Sequence, residues 1–185
     1  MPTNAIDFLT TEHREADKKL AQLAQQPDQA LLDETAMELR VHLEIEEEVL
    51  YPFIRDEVPE GESLMDEAES EHDEARQALQ KVTQAELGSP EFTAALAELT
   101  AGVRHHVQEE ETQVFPKLRE TVTQARLEEF GAELEQAHEQ KVSGSGSSTE
   151  GKTRDELYAE AKEIGIEGRS KMNKDELAEA VEESS

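Results

Sequence analysis

The chain has 185 residues, enough for one domain of ordinary size with an appendage, and sets 45 Asp+Glu against 18 Lys+Arg for a formal net charge of -27. That balance disfavours phosphate backbones and anionic membrane surfaces as partners. The lack of any cysteine excludes disulfides, thiolate metal sites, iron–sulfur clusters and cysteine nucleophiles. No apolar run approaches the roughly 18 residues of a membrane span. The first residues show no basic and apolar secretory pattern, so a soluble, cytoplasmic protein is expected.

Punctuation by Pro27, Pro59, Gly61 and the Gly88-Ser89-Pro90 cluster divides the first 120 residues into four long pieces with helical periodicity. Helices are expected over 4–26, 29–57, 62–87 and 90–120, with a fifth over 123–142. Pro52 and Pro116 should kink or loosen the last turns of the second and fourth. The run Ser143-Gly144-Ser145-Gly146-Ser147-Ser148 reads as a flexible linker. Two short helices are expected beyond it, over 153–164 and 173–183. The expected domains are a bundle over 1–142, a linker over 143–152 and a small module over 153–185.

Each of the four long helices carries an apolar seam at 3-4 spacing. The first is Ile6, Leu9, His13, Ala16, Leu20, Leu23. The second is Leu32, Thr35, Leu39, His42, Glu46, Val49, Phe53. The third is Met65, Ala68, His72, Ala75, Leu79, Val82. The fourth is Phe92, Leu96, Leu99, Val103, His106, Glu110, and then Gln113 or Val114. The fold expected is all-α: an antiparallel up-down-up-down four-helix bundle, an extra fifth helix and a small tethered helix-loop-helix tail. In such a bundle the mid-helix positions meet in one layer.

That layer would hold His13, His42, His72, His106, Glu46 and Glu110. Two buried carboxylates without a cation would repel and be driven neutral; two metal ions remove the conflict. An internal repeat supports the set. His42-Leu-Glu-Ile-Glu46-Glu-Glu-Val-Leu-Tyr-Pro52 matches His106-Val-Gln-Glu-Glu110-Glu-Thr-Gln-Val-Phe-Pro116 at an offset of 64, and Glu12-His13 matches Glu71-His72 at 59. Each half offers one His from its first helix and a His-x3-Glu pair from its second, and the i, i+4 spacing keeps that pair on one face. Mixed nitrogen and oxygen donors without thiolate suit non-haem iron, with manganese or zinc as alternatives. The stripe and the repeat select His106 over its neighbour His105, which has its own i+4 partner in Glu109.

The doubled His-x3-Glu-Glu-x2-[Leu/Val]-[Tyr/Phe]-Pro element resembles the hemerythrin-like, HHE cation-binding proteins, over roughly residues 5–120. The resemblance implies a centre of two non-haem iron ions, oxo- or hydroxo-bridged. It implies His13, His42, Glu46, His72, His106 and Glu110 as metal ligands, with Glu46 and Glu110 as bridging carboxylates. Oxygen-carrying members have a fifth histidine where this chain has Arg76. Water, a carboxylate such as Glu69, or nothing would then take that place, and positions open on the metals suit oxygen, nitric oxide or peroxide. The function expected is binding of, or reaction with, such a small ligand in a stress response, with catalase-like turnover left open as an enzyme activity. The alternative is iron storage or sensing without catalysis.

Ala16, Ala68 and Ala75 flank the ligands, either as room for a ligand or as ordinary packing. Arg76 and Asp17 are either a pair beside the site or plain surface charges. Glu47, Glu48 and Glu111 read as solvated faces, and His138 receives no role. The segment 153–181, with GRSKMNKDEL its most specific part, resembles the Rho termination factor N-terminal domain and SAP-like modules. That resemblance implies a link to nucleic acid, although the basic residues cluster only at Arg169, Lys171 and Lys174, and a protein-docking or vestigial role is expected at least as much.

Overall fold

The computed structural model describes residues 4–59 and 61–145, together with 157, 161, 162, 164, 166, 172, 173, 177, 180 and 181. The described chain is all-helical. Helix α1 spans Ala5–Gln25, α2 Gln29–Ile45, α3 Tyr51–Glu57, α4 Gly61–Gln84, α5 Pro90–Glu109, α6 Phe115–Thr121 and α7 Gln124–Ser145. Local chemistry sets the starts. The side chains of Asn4, Asp28 and Ser89 accept hydrogen bonds from the backbone N–H groups of Asp7, Leu31 and Phe92, satisfying donors that a first turn leaves free. Pro90 follows Ser89 at a position where a missing N–H costs nothing. Gly61 opens α4 so close to α3 that any Cβ would overlap the Ile54 carbonyl.

The two internal prolines do not break their helices. Ahead of each lies one wide π-helical turn, Glu46–Leu50 before Pro52 and Glu110–Val114 before Pro116. The N–H groups of Tyr51 and Phe115 reach back five residues, to the carbonyls of Glu46 and Glu110. Proline has no N–H for an i−4 bond and its ring crowds that carbonyl, and widening the preceding turn relieves both. α2 and α3 therefore form one continuous rod, as do α5 and α6.

Two apolar clusters sit at opposite ends of the bundle. One gathers Ile6, Leu9, Tyr51, Met65, Phe115 and Phe130. The other gathers Leu20, Leu32, Leu39, Leu79, Phe92 and Leu99. α1 and α4 run from the first cluster to the second, and α2 and α5 run the other way. Each buried leucine or phenylalanine contributes about 1.5–3 kcal/mol, so these clusters hold the four helices in fixed register around the layer between them. α7 adds Leu127, Phe130 and Leu134 to the first cluster, where Phe130 stacks on Phe53 with ring centroids 3.8 Å apart.

Contacts divide the chain into residues 1–139 and 140–185. α7 continues through Ser143-Gly144-Ser145, so the first three residues of the Gly/Ser run are helical. In the second unit Leu157, Ala161 and Lys162 are helical, as are Leu177, Ala180 and Val181. Leu157, Ala161, Leu177 and Val181 form a small core with Ile166 and Met172 packed against it. Ile164 and Asn173, at the ends of the two expected short helices, are not helical; the rest of those helices, the linker beyond Ser145, and Arg169, Lys171 and Lys174 lie outside the described residues. Among those residues no helix is long and apolar enough to cross a membrane.

Candidate metal centre

All six residues singled out by the seams are buried between the two apolar clusters: His13, His42, Glu46, His72, His106 and Glu110. Glu46 is at the centre, with no exposed surface. Its Oε1 lies 3.1 Å from His42 Nε2 and 3.8 Å from His13 Nε2. Its Oε2 lies 3.1 Å from His72 Nε2 and 3.3 Å from His106 Nε2. One carboxylate thus presents one oxygen to each histidine pair. Glu110 Oε2 lies between the pairs, 3.2 Å from His13 Nε2 and 3.8 Å from His106 Nε2. Two donor groups able to hold a metal ion follow, His13 with His42 and Glu46, and Glu46 with His72 and His106.

Three of the four outward-facing nitrogens are hydrogen-bonded to a carboxylate; His42 Nδ1 is not. His72 Nδ1 and His106 Nδ1 donate to Glu47 at 2.9 Å and to Glu71 at 3.1 Å. His13 Nδ1 approaches Glu111 at 3.4 Å and His42 Nδ1 approaches Glu12 at 3.6 Å. The repeat relates these carboxylates in pairs, Glu12 to Glu71 and Glu47 to Glu111. A proton held on Nδ1 by a carboxylate leaves the Nε2 lone pair free for a metal and fixes the ring's orientation.

Burial alone would depress the imidazole pKa values, but the carboxylates outweigh it. His13 is raised by hydrogen bonding to Glu110 and Glu46. His42 is raised to about 10, against burial, by the charge of Glu46 and by Glu12. His106 is pushed well above the ordinary imidazole range by Glu110, Glu46 and Glu71, again against burial. Burial would raise Glu46, yet the charge of His42 and hydrogen bonds from His106 and His13 hold it well below the usual carboxylate range. In the metal-free chain, imidazolium protons therefore supply the positive charge that two buried carboxylates require.

Those protons leave the cluster poorly bonded. His13 Nε2, Glu46 Oε1 and both Glu110 oxygens are buried without a well-directed hydrogen bond. An orphaned buried carboxylate is costly, whereas a dication would engage all of these atoms at once. The donor set fits metal ions.

Three expectations about the surroundings are corrected. Glu47 is not a solvated face but the half-buried partner of His72; Glu111 is exposed as expected and still reaches His13, and Glu48 is exposed as expected. Arg76 does not pair with Asp17. It pairs with Glu47 and Asp73, while Asp17 pairs with Arg104. Glu69 is held at the surface by Arg55 and does not take the place of a fifth histidine. His138 has neighbours after all, with Nε2 3.6 Å from Glu12 and its ring edge-on to Phe8. Ala16 and Ala75, but not Ala68, line an apolar cavity of about 20 Å³ beside His13, His42 and His106. That is space for one water-sized or diatomic guest.

Sequence reasoning missed Tyr51. It is fully buried, and its hydroxyl lies 2.7 Å from the inward-facing His72 Nε2. Burial and the charges of Glu46 and Glu110 raise its pKa far above the ordinary phenol value. Its repeat partner Phe115 stacks on His13, at 5.9 Å and 3°. The available signal was the aromatic residue five positions after each Glu, at the reach of a π-helical bond.

Comparison with known proteins agrees with this arrangement. Residues 4–118 match the hemerythrin HHE cation binding domain, and residues 150–184 match the Rho termination factor N-terminal domain. A DNA nickase of Nostoc sp. is 28% identical over 138 residues, covering 72% of this chain and 39% of that protein. The chain therefore spans about two-fifths of the length of that curated relative. The crystal structure of a hemerythrin HHE cation binding domain-containing protein from Mycobacterium kansasii has the same fold. It aligns with a TM-score of 0.67 at 21% identity, over 98% of this chain and 99% of that one.

Proposed function

The chain belongs to the hemerythrin HHE cation-binding family, and from that premise we propose that its bundle holds two non-haem iron ions that meet oxygen, nitric oxide or peroxide in a stress response. His13 and His42 would hold one ion and His72 and His106 the other, with Glu46 and Glu110 bridging. The observation that carries the reading is the division of the Glu46 carboxylate, one oxygen toward each histidine pair. When bound, such a pair of ions supplies redox and Lewis-acid chemistry toward small ligands.

The chain's own residues have separate tasks. Glu47, Glu71 and Glu111 take the Nδ1 protons of His72, His106 and His13 and orient those rings, while Glu12 faces His42 Nδ1 from 3.6 Å. The Tyr51 hydroxyl stands on the inner side of His72, where it can donate a hydrogen bond. The apolar walls at Ala16, Leu39, Ala75 and Val103 exclude bulk water from the cavity and favour a small guest. Arg76, where oxygen carriers have a histidine, is engaged by Glu47, so this chain would offer the second ion fewer protein ligands than a carrier does. That favours reaction over reversible carriage.

Metal analysis of protein from iron-replete cells should give about two irons per chain, and spectra under air, vacuum and peroxide should change with the ligand. Protein with no transition metal would sink the proposal. Iron with no spectral response to any ligand would move it to storage or sensing. A second reading, action on nucleic acid, is favoured by the nickase relative and the Rho-type tail with Arg169, Lys171 and Lys174. Plasmid nicking and gel-shift assays on the full chain test it; a negative result in both discards it.

A further inference from the structure

We propose that His105, Glu109 and Glu71 form a second, outer site for a divalent first-row metal ion, at the surface of α4 and α5 and separate from the buried centre. Their donor atoms all lie within 4.8 Å of one another. His105 and Glu109 repeat the His-x3-Glu chelate of His106 and Glu110, rotated by about 100° toward solvent. Glu71 closes the group from the neighbouring helix, with Oε1 2.7 Å from His105 Nδ1. One imidazole and two carboxylates are donors suited to a first-row dication, and three ligands leave positions for water.

The wider acidity of the chain does not account for this group. Among the described residues it is the one convergence of an imidazole with two carboxylates outside the buried layer. The equivalent carboxylate in the other half, Glu12, meets His138 only at 3.6 Å and forms no three-donor group there. The 2.7 Å contact between His105 Nδ1 and Glu71 Oε1 is the one a bound cation would replace; the others are weak or compatible. Glu109 accepts from the Gln113 amide at 3.5 Å, and Glu71 uses its other oxygen, Oε2, for His106 Nδ1 at 3.1 Å. His105 has a side chain 66% exposed, so a hydrated cation reaches it directly. The outer ion would sit one carboxylate away from His106, which gives the chain a place to capture a cation beside the buried centre without entering it.

The test uses the full chain with its iron loaded and excess metal removed, titrated with Mn2+ while free Mn2+ is followed by its electron paramagnetic resonance signal. The expected result is one saturable Mn2+ per chain, weakened about tenfold or more by His105→Ala and by Glu109→Gln. Glu129→Gln, an exposed carboxylate on α7, should leave it unchanged. Pulsed measurements should show modulation from one imidazole nitrogen in the parent chain and none in His105→Ala. Iron content, measured on the same samples, should not move. Absence of saturable binding, equal affinity in His105→Ala, or loss of iron in that variant would each overturn a separate outer site.

Discussion

His13 and His72 occupy equivalent places 59 residues apart, yet the structure surrounds them differently. Over His13, Phe115 stacks flat, and the carboxylate behind the ring, Glu111, is 41% exposed beside a groove of about 420 Å³ between α1 and α5. Over His72, Tyr51 brings a hydroxyl to the inward-facing nitrogen, and the carboxylate behind the ring, Glu47, is clamped by Arg76. Burial would raise the pKa of Glu47, but Arg76 and His72 outweigh it and lower the pKa. A duplicated ligand pattern has thus diverged in its supports. One half is apolar and open, the other polar and closed, and the two proposed ions would not be chemically alike.

The largest effect expected separates the two carboxylates. Glu46 faces both histidine pairs with both oxygens, whereas Glu110 reaches them with one. Glu46→Gln should abolish binding of both irons, and Glu110→Gln should retain part of the iron, as read by metal analysis. In the metal-free chain Glu46→Ala should cost roughly 3–5 kcal/mol, because it strands buried imidazolium groups. Equal iron loss in the two Gln variants would remove the distinction. Next, His106→Ala should lose the iron spectrum, while His105→Ala keeps it. The reverse outcome would mean that the seam is misread by one residue.

The halves should agree in their response to pH. The raised pKa of His42 contributes stability that is complete below the ordinary imidazole value of 6.5 and is lost as pH rises through about 10. The lowered pKa of Glu46 contributes stability present above the ordinary 4.5 and lost on acidification through its folded value. Chelated protein should therefore melt lower as pH rises from about 6.5 to about 10. Iron-loaded protein should instead keep its stability over that range and lose it as pH falls below about 6.5, where the unfolded histidines take up protons that bound metal excludes. Identical melting profiles for the two forms would contradict this.

Smaller effects sharpen the asymmetry itself. Tyr51→Phe makes the two halves alike at that position and should shift the visible spectrum of the loaded protein with iron content kept. Phe115→Tyr should perturb the other ion instead. Deleting residues 146–185 should change neither iron content nor the bundle's melting temperature, since the residues of the centre and both apolar clusters precede residue 135. Loss of iron on truncation would show that the tail matters to the centre.

Periodicity and the internal repeat by themselves determined the helical class, the five long rods and the six residues of the central layer. They could do so because a buried face in an α-helix must recur every three to four residues, and a polar residue on that face is conspicuous. What lies one step off the seam needed tertiary structure. Glu47, Glu71 and Glu111 look like surface charges along their own helices, and only the neighbouring helix, by bringing a histidine to them, makes them partners. Tyr51 was hidden for a different reason. Five residues after Glu46, an α-helix would turn it about 140° away from the seam. The π-helical turn ahead of Pro52 absorbs that offset and brings the ring beneath the site. The register shift also explains why Leu50 rather than Val49 is fully buried, and why Val114 rather than Gln113 enters the core. A change in turn width is set by the balance of proline sterics and packing at both ends of the bundle, which no single helix's periodicity contains.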